Sequence, residues 1–172
     1  WEEIIFPLEH FTGVDRRLQR LGTFVCKNGG KAIVYDDYAH HPTEIEMTLK
    51  ALRSAELPKR LICVFQPHQH SRTRFLLNQF AQSFSSADEV IVPHIYFVRD
   101  SEAEQHRVSA QDLVDKLIDQ GSAATHIDNF EDIVRYVQNT ARSGDLIVIM
   151  GAGPVTSIAH TLVDTIEIPS EK

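Results

Sequence analysis

Apolar residues in this chain form short continuous runs, and each run precedes a stretch in which apolar residues recur every three or four positions. Residues 61–65 and 146–150 are the strongest of the continuous runs. An unbroken apolar run is typical of a strand buried on both faces of a sheet, and the recurring spacing is typical of an amphipathic helix. We therefore predict strands near 21–26, 31–36, 61–65, 89–92, 124–127 and 145–150, and helices that begin near 42, 71, 110, 130 and 155.

Alternation of strands and helices with crossovers of this length implies parallel strands. The first pair is the exception, because Asn28-Gly29-Gly30 between residues 21–26 and 31–36 is a hairpin signal. The predicted fold class is α/β: a Rossmann-like, doubly wound, mainly parallel sheet of about six strands with helices on both faces. Thr43 and Glu46 fit a capping box for the helix that Pro42 opens, and the polar residues 94–108 are predicted to form a solvated surface loop.

Charge and composition restrict the possible partners. The formal net charge of the 172 residues is −7, which argues against nucleic acid or an anionic membrane as the main partner. No apolar run approaches the roughly 18 residues of a membrane span, and the start of the chain has no signal-peptide pattern. Cys26 and Cys63 stand singly in apolar runs, so we expect buried, reduced thiols. These features favour a globular domain in the cytoplasm.

The turn after the second strand carries a high density of reactive side chains. It reads Asp36-Asp37-Tyr38-Ala39-His40-His41-Pro42-Thr43-Glu44, so two carboxylates, a phenol and two imidazoles stand between a strand and a helix. In a parallel α/β sheet, ligands bind at the carboxyl ends of the strands. We interpret the turn as a candidate site. The alternative is a polar loop in front of a well-capped helix.

A second candidate follows the next strand and reads Phe65-Gln66-Pro67-His68-Gln69-His70-Ser71-Arg72-Thr73-Arg74. Arg72 falls in a first helical turn, where the helix dipole favours an anion over a cation. An arginine at that place indicates capture of a carboxylate or phosphate. The alternative is an exposed arginine on a helix face.

Two smaller features complete the candidate chemistry. Gly151-Ala152-Gly153 lacks the third glycine of a dinucleotide fingerprint, so it is either a tight turn or a backbone surface that a ligand approaches. Arg16-Arg17, taken alone, is typical of solvated surface. We expect the turns opened by residues 36, 66 and 151 to converge on one edge of the sheet.

Metal binding and serine hydrolysis are weaker interpretations. His40, His41, His68 and His70 could assemble a zinc site, but Pro67 indicates that the strand has ended before two of them, and no cysteine supports it. Ser71 lies next to His70 but lacks the strand-to-helix serine elbow.

Three segments together resemble the carboxy-terminal domain of the Mur ligase family. They are residues 36–44, Phe65-Gln66-Pro67-His68 with Ser71-Arg72-Thr73, and Gly151-Ala152-Gly153. Residues 13–17 are similar to the junction where the family's central ATPase domain passes into this one. The resemblance covers residues 11–165 and implies a junction remnant at 1–13, an amino-acid-binding domain at 14–168 and a tail at 169–172.

The resemblance implies an ATP-driven amide synthesis, in which a muramyl carboxylate is phosphorylated and the acyl phosphate is attacked by an amine. The Phe65–His68 segment is similar to members that add L-alanine to UDP-N-acetylmuramate rather than to members that recycle murein tripeptide. By position in the matching segments, the nucleotide-binding residues would be Arg17 at the ATP phosphates and Asp37 at the ribose. The L-alanine site would contain Tyr38, His40 and His68, with Arg72 on the carboxylate.

The chain departs from the family pattern at Gln69, where some members carry Arg, and at Pro154, where Asp or Asn is common. In the family, the phosphate loop, the Mg²⁺ ligands and the sugar-nucleotide pocket belong to two preceding domains. The resemblance therefore implies that ATP and Mg²⁺ bind mainly outside this chain, and that the chain alone has no ligase turnover. A non-enzymatic nucleotide-binding module with the same fold is the remaining alternative.

Overall fold

The computed structural model describes residues 13–164, so the predicted junction remnant and tail fall largely outside the described residues. The strands are β1 (Gln19–Val25), β2 (Lys31–Asp37), β3 (Arg60–Phe65), β4 (Glu89–Val92), β5 (Ala124–His126) and β6 (Asp145–Met150). The helices are α1 (Pro42–Glu56), α2 (His70–Phe75), α3 (Leu77–Gln82), α4 (Glu102–Gln105), α5 (Ala110–Asp119), α6 (Phe130–Thr140) and α7 (Thr156–Asp164).

The six strands form one sheet in the order β1-β2-β6-β3-β4-β5. β1 runs antiparallel to β2, and every other neighbouring pair is parallel. The predicted hairpin is present, since the Cys26 N–H donates to the Gly30 carbonyl at 3.1 Å. The predicted Rossmann-like, mainly parallel α/β fold is confirmed.

Alternate residues of each central strand feed two separate cores. On β3, Leu61, Cys63 and Phe65 face the layer that contains α1, α3 and α5, whereas Ile62 and Val64 face α6 and α7. Each of these five side chains is fully buried. Burial on both faces explains why the strand sequence is continuously apolar rather than alternating.

The start of α1 corrects one prediction. The capping box uses His41 and Glu44 rather than Thr43 and Glu46: the Thr43 N–H donates to His41 Nδ1, and the His41 N–H donates to the Glu44 carboxylate. An imidazole nitrogen can accept such a bond, although serine, threonine and aspartate are the usual caps. His41 is therefore committed to the helix end, away from the cluster that a zinc site would require.

Two further differences concern the region after β3. The helix predicted from Ser71 begins at His70 and divides at Leu76 into α2 and α3. Residues 94–108 are not uniformly solvated, because Ile95 and Val108 are buried and residues 102–105 form α4. The prediction of a plain surface loop is wrong for these positions.

Cys26 and Cys63 are buried free thiols, as predicted. Burial is the main reason that the pKa of Cys63 is raised, and the negative charge of Asp37 adds to it. No helix within residues 13–164 combines the length and the hydropathy that crossing a membrane would require.

Candidate ligand-binding site

The three predicted turns meet at one edge of the sheet. β6 lies between β2 and β3, and Met150 at its end is paired with Asp37 on one side and Phe65 on the other. Backbone bonds continue the register past the strands: the Gly151 N–H donates to the Asp37 carbonyl at 3.1 Å, and the Gln66 N–H donates to the Met150 carbonyl at 2.9 Å. The expected convergence of the three turns is confirmed. We call this the carboxyl edge.

Four rings stand side by side along the carboxyl edge and are called the ring row: Tyr38, His40, His68 and Tyr96. Successive ring centroids are 5.3 Å apart from Tyr38 to His40, 6.0 Å from His40 to His68 and 5.7 Å from His68 to Tyr96. The structure therefore brings together three of the four residues predicted to line an amino-acid site. Sequence reasoning missed Tyr96, although it follows β4, the strand beside β3, and an aromatic residue after a neighbouring parallel strand was the available signal.

His40 is oriented by its own turn. Its Nδ1 lies 3.0 Å from the Tyr38 carbonyl oxygen, an acceptor only, so Nδ1 carries the proton in this contact. Nδ1 also lies 3.5 Å from a Glu44 carboxylate oxygen. Partial burial acts to raise the pKa of Glu44, but the N–H groups of His40 and His41, with the charges of His40 and Arg17, outweigh it and leave the pKa below its ordinary value.

Asp37 is the last residue of β2, immediately before Tyr38 of the ring row, and is 3 % exposed. Its Oδ2 accepts the Leu18 N–H at 2.7 Å and its Oδ1 accepts the Ala39 N–H at 2.7 Å, while the Thr48 hydroxyl lies 3.5 Å from Oδ2. The Asp37 carboxylate therefore links Leu18, in the segment before β1, to Ala39 in the 36–44 turn. The contribution of Asp37 to ribose binding stays a prediction.

The two junction arginines have different environments. The Arg16 guanidinium donates to the Gly151 carbonyl at 2.5 Å and to the Asp36 carboxylate at 3.1 Å. It therefore links the end of β2 to the turn after β6. Arg17 is about half exposed, and its nearest carboxylate contact is Glu44 at 4.0 Å. Its guanidinium carbon lies 5.6 Å from the centroid of the Tyr38 ring. Arg17 can therefore reach a ligand, whereas Arg16 is committed to the fold.

Sequence reasoning selected Arg17 only through the family resemblance, and it missed Thr156. The hydroxyl of Thr156, the first residue of α7, donates to the Asp36 carboxylate at 2.6 Å. Asp36 and Thr156 lie 120 positions apart in the chain. No local pattern reports a contact of that separation.

Glycine at 151 and 153 has a packing reason. A Cβ at Gly151 would lie 2.9 Å from the Gln66 carbonyl oxygen, and a Cβ at Gly153 would lie 2.7 Å from Gln66 Oε1. Gln66 is fully buried, and its Oε1 has no hydrogen-bond partner among the described residues. Of the two interpretations of this turn, close packing against β3 accounts for the glycines without a ligand.

Arg72 is half-buried at the start of α2, and its side chain forms no ion pair or hydrogen bond with residues 13–164. Arg74, two positions away, is paired with Glu104 through contacts of 2.8 and 3.1 Å. The contrast identifies Arg72 as a cation without a counter-ion inside the described domain.

The charge of Arg72 also affects the titration of His68 in the ring row. Its Nδ1 is buried without a partner. Burial lowers the pKa of His68, and the positive charges of Arg72, His40 and Arg99 lower it further. Burial and these nearby cations therefore both favour the neutral form of the His68 imidazole.

Metal binding by the histidines gains no support here. His70 turns away from His68 and packs its ring on Phe97 with the centroids 5.9 Å apart. Within residues 13–164, no three histidine, cysteine, aspartate or glutamate side chains come together as potential metal ligands.

The fold and the site define a class of protein: a doubly wound α/β domain with a row of four aromatic and imidazole rings along the carboxyl edge of its sheet. The family model described as Mur ligase, glutamate ligase domain matches residues 16–153. The chain belongs to the Mur ligase family.

Among curated proteins, the UDP-N-acetylmuramate–L-alanine ligase of Desulfitobacterium hafniense is 41% identical over 162 residues, which are 94% of this chain and 35% of that protein. The chain thus spans about a third of the curated relatives that it matches.

Two solved structures have the same fold. UDP-N-acetylmuramate–alanine ligase from Thermotoga maritima matches with a TM-score of 0.66 at 24% identity, over 91% of this chain and 31% of that one. A domain from a putative UDP-N-acetylmuramate:L-alanyl-γ-D-glutamyl-meso-diaminopimelate ligase of Haemophilus ducreyi matches with a TM-score of 0.61 at 26% identity, over 88% of this chain and 100% of that one.

Proposed function

We propose that this chain is the carboxy-terminal, amino-acid-binding domain of an ATP-dependent UDP-N-acetylmuramate–L-alanine ligase of peptidoglycan precursor synthesis. The main support is 41% identity, over nearly the whole chain, to an enzyme of that name. The chain corresponds to about a third of that enzyme, so the remaining two thirds would supply the N-terminal and central domains.

The reaction is the formation of an amide through an acyl phosphate. ATP phosphorylates the muramyl carboxylate, the amine of L-alanine attacks the acyl carbon, and phosphate leaves. Catalysis of this kind depends on positioning and on stabilising charge. The task of this domain is to hold L-alanine with its amine facing the partner domain.

One observation carries the assignment of roles: Arg72 has no counter-ion among the described residues and lies beside the ring row. A guanidinium binds a carboxylate through two parallel hydrogen bonds. Arg72 would hold the carboxylate of L-alanine, while Tyr38, His40 and His68 line the rest of the site.

Nucleotide binding involves this domain only in part. Arg17 is exposed and can reach the phosphates of ATP, and Asp37 at the end of β2 would position the ribose. The family resemblance implies that Mg²⁺ would be bound mainly by the central domain. In the family reaction, ATP with its metal supplies the phosphoryl group that activates the acid.

The test is a chimeric ligase. Residues 13–164 replace the equivalent domain of the D. hafniense enzyme, and phosphate release is measured with ATP, UDP-N-acetylmuramate and either L-alanine or the murein tripeptide. We expect turnover with L-alanine, and an increase in its KM of about tenfold in Arg72→Gln from the loss of a charge-assisted contact. The 172-residue chain alone should release no phosphate.

Arg135→Gln is the matched control, since Arg135 is an exposed arginine that pairs with Asp132 on α6. Turnover with tripeptide but not with L-alanine would contradict the proposal and favour the recycling ligase, the alternative that the H. ducreyi match supports. Turnover by the chain alone would contradict the predicted dependence on the other domains. A phosphate-loop sequence upstream in the gene distinguishes either ligase from a non-enzymatic nucleotide-binding module.

A further inference from the structure

Residues 96–101, which follow β4, are called the 96–101 loop. Hydrogen bonds hold this loop against the carboxyl edge. The Tyr96 N–H donates to the Pro67 carbonyl at 2.9 Å, and the Gln69 N–H donates to the Tyr96 carbonyl at 3.0 Å. The Gln69 side-chain amide donates to the Val98 and Arg99 carbonyls at 3.3 and 3.2 Å. Residues 67–69 therefore determine where the backbone of Arg99 lies.

Asp100 anchors the other end of the loop. Its Oδ2 accepts the Ser71 N–H at 2.9 Å, at the start of a helix whose own N-cap residue, Gln69, forms no capping bond with its side chain. Partial burial acts to raise the pKa of Asp100, but the donors at Ser71, Ser101 and His70 outweigh it and lower the pKa. This carboxylate is occupied and does not neutralise the arginine beside it.

Arg99 resembles Arg72 in having no ion pair or side-chain hydrogen bond within residues 13–164. After burial, which is the larger cause, the charges of both arginines lower the pKa of His68. Arg74 and Arg107, by contrast, share Glu104. The hydrogen bonds of the 96–101 loop place the backbone of Arg99 against residues 67–71, at the start of the helix that carries Arg72. An anion bound by both guanidinium groups would remove the repulsion between their charges.

The loop and the segment that it contacts contain unfavourable backbone conformations. Arg99 has φ +49° and Gln69 has φ +69°, the left-handed region that costs residues other than glycine about 1 kcal/mol each. Contacts on both sides of Arg99 stabilise this conformation. The exposed guanidinium is therefore carried by a defined backbone.

We propose that Arg99 is the second cation of the amino-acid carboxylate site, carried by the 96–101 loop to the same anion as Arg72, with Gln69 as its positioning residue. The identity of the anion rests on the proposed function. The site then has one arginine from α2 and one from the loop after β4.

The experiment is a titration of the ¹⁵N-labelled 172-residue chain by NMR, observing the Nε–Hε signals of Arg72 and Arg99. The probes are L-alanine and L-alaninamide, which keeps the amine and the methyl group but lacks the carboxylate. We expect saturable shifts of both arginine signals with L-alanine. Arg99→Gln should weaken L-alanine binding about three- to fivefold and Arg72→Gln about tenfold, with alaninamide binding unchanged.

Gln69→Ala tests the positioning role. It keeps the Arg99 charge but removes the amide that holds the loop, so the Arg99 shift should be lost and L-alanine binding should weaken as in Arg99→Gln. Arg142→Gln is the control, because Arg142 is an exposed arginine before β6, at the opposite edge of the sheet. Retained binding in Gln69→Ala with an unchanged Arg99 signal would overturn the assignment of Gln69.

The outcomes separate this inference from the proposed function. If the Arg72 signal shifts, the Arg99 signal does not, and Arg99→Gln binds as tightly as the unmodified chain, the second cation is overturned and the amino-acid site stands. If neither arginine signal shifts saturably up to molar L-alanine, the amino-acid site itself is overturned, and both proposals fail together.

Discussion

Arg60, at the amino ends of the parallel strands, and Arg72 and Arg99, at the carboxyl edge, have opposite environments. At the amino ends, Arg60 donates to Asp145 at 2.7 Å, to the Thr140 carbonyl at 3.0 Å and to Glu89 at 3.3 Å. Asp145 is buried and also accepts the Arg142 N–H at 2.8 Å. At the carboxyl edge, Arg72 and Arg99 have no counter-ion among the described residues.

We infer that Arg60 contributes to the stability of the sheet, whereas Arg72 and Arg99 are available for binding a ligand. A buried carboxylate with a complete set of donors holds neighbouring strands together, and removing a partner leaves it desolvated and unpaired. A cation without a partner contributes nothing of this kind and retains its hydrogen-bonding capacity for a ligand. Mutations of Arg60 and mutations of Arg72 or Arg99 should therefore change different measured quantities.

The largest expected effect comes from the glycines at the two ends of β6. Gly151→Ala should lower the free energy of unfolding by about 4 kcal/mol, because the backbone has φ +146° and the new Cβ would lie 2.9 Å from a backbone oxygen. Gly144→Ala should cost about 1–2 kcal/mol, because its φ is +91° but the new Cβ meets only the flexible Lys59 side chain. Denaturant unfolding measures both, and equal losses would contradict the close packing of Gly151 against the Gln66 backbone.

A smaller but more selective effect is expected from the arginines. Arg60→Gln should destabilise the domain by about 3 kcal/mol, because it leaves Asp145 buried without its cation. Arg72→Gln should change the free energy of unfolding by no more than about 0.5 kcal/mol while weakening L-alanine binding. A loss of stability in Arg72→Gln comparable to that of Arg60→Gln would mean that Arg72 has an internal partner and would contradict its assignment.

The smallest effect concerns the titration of His68. Its pKa is lowered first by burial and then by Arg72, His40 and Arg99, so Arg72→Gln and Arg99→Gln should each raise it toward the ordinary value. The imidazole signals in an NMR pH titration measure this directly. Arg74→Gln is the control, because Glu104 neutralises that charge. An unchanged His68 pKa in both test variants would show that neither guanidinium approaches the ring.

The same shift sets a pH dependence of stability. Because the folded pKa of His68 lies below its unfolded value of about 6.5, the unfolded state takes up the proton more readily. Its contribution to stability is complete above the unfolded pKa and is lost as the pH falls through and below it. The pH dependence should be shallower in Arg72→Gln, where the two values lie closer together.

Local sequence patterns predicted much of the fold and part of the candidate site. Buried strands such as 61–65 were predictable because burial on both faces requires unbroken apolar residues. Tyr38, His40 and His68 were predictable as neighbours, since the carboxyl ends of adjacent parallel strands share an edge. The cap of α1 was predicted wrongly because several residues near Pro42 can cap, and packing selected His41.

The sequence alone determined the six strands, their mainly parallel arrangement and the two turns that carry the ring row, because hydrophobic periodicity and turn chemistry are local properties of the chain. Only the tertiary structure decided which charges are neutralised. The sequence singled out Arg72 by its position but did not show that Arg74 is neutralised, because Glu104 reaches Arg74 from α4 only in the folded domain. The position of the 96–101 loop was also not predictable from the sequence, because it depends on hydrogen bonds to Gln69 and Ser71, which lie about 30 positions earlier in the chain.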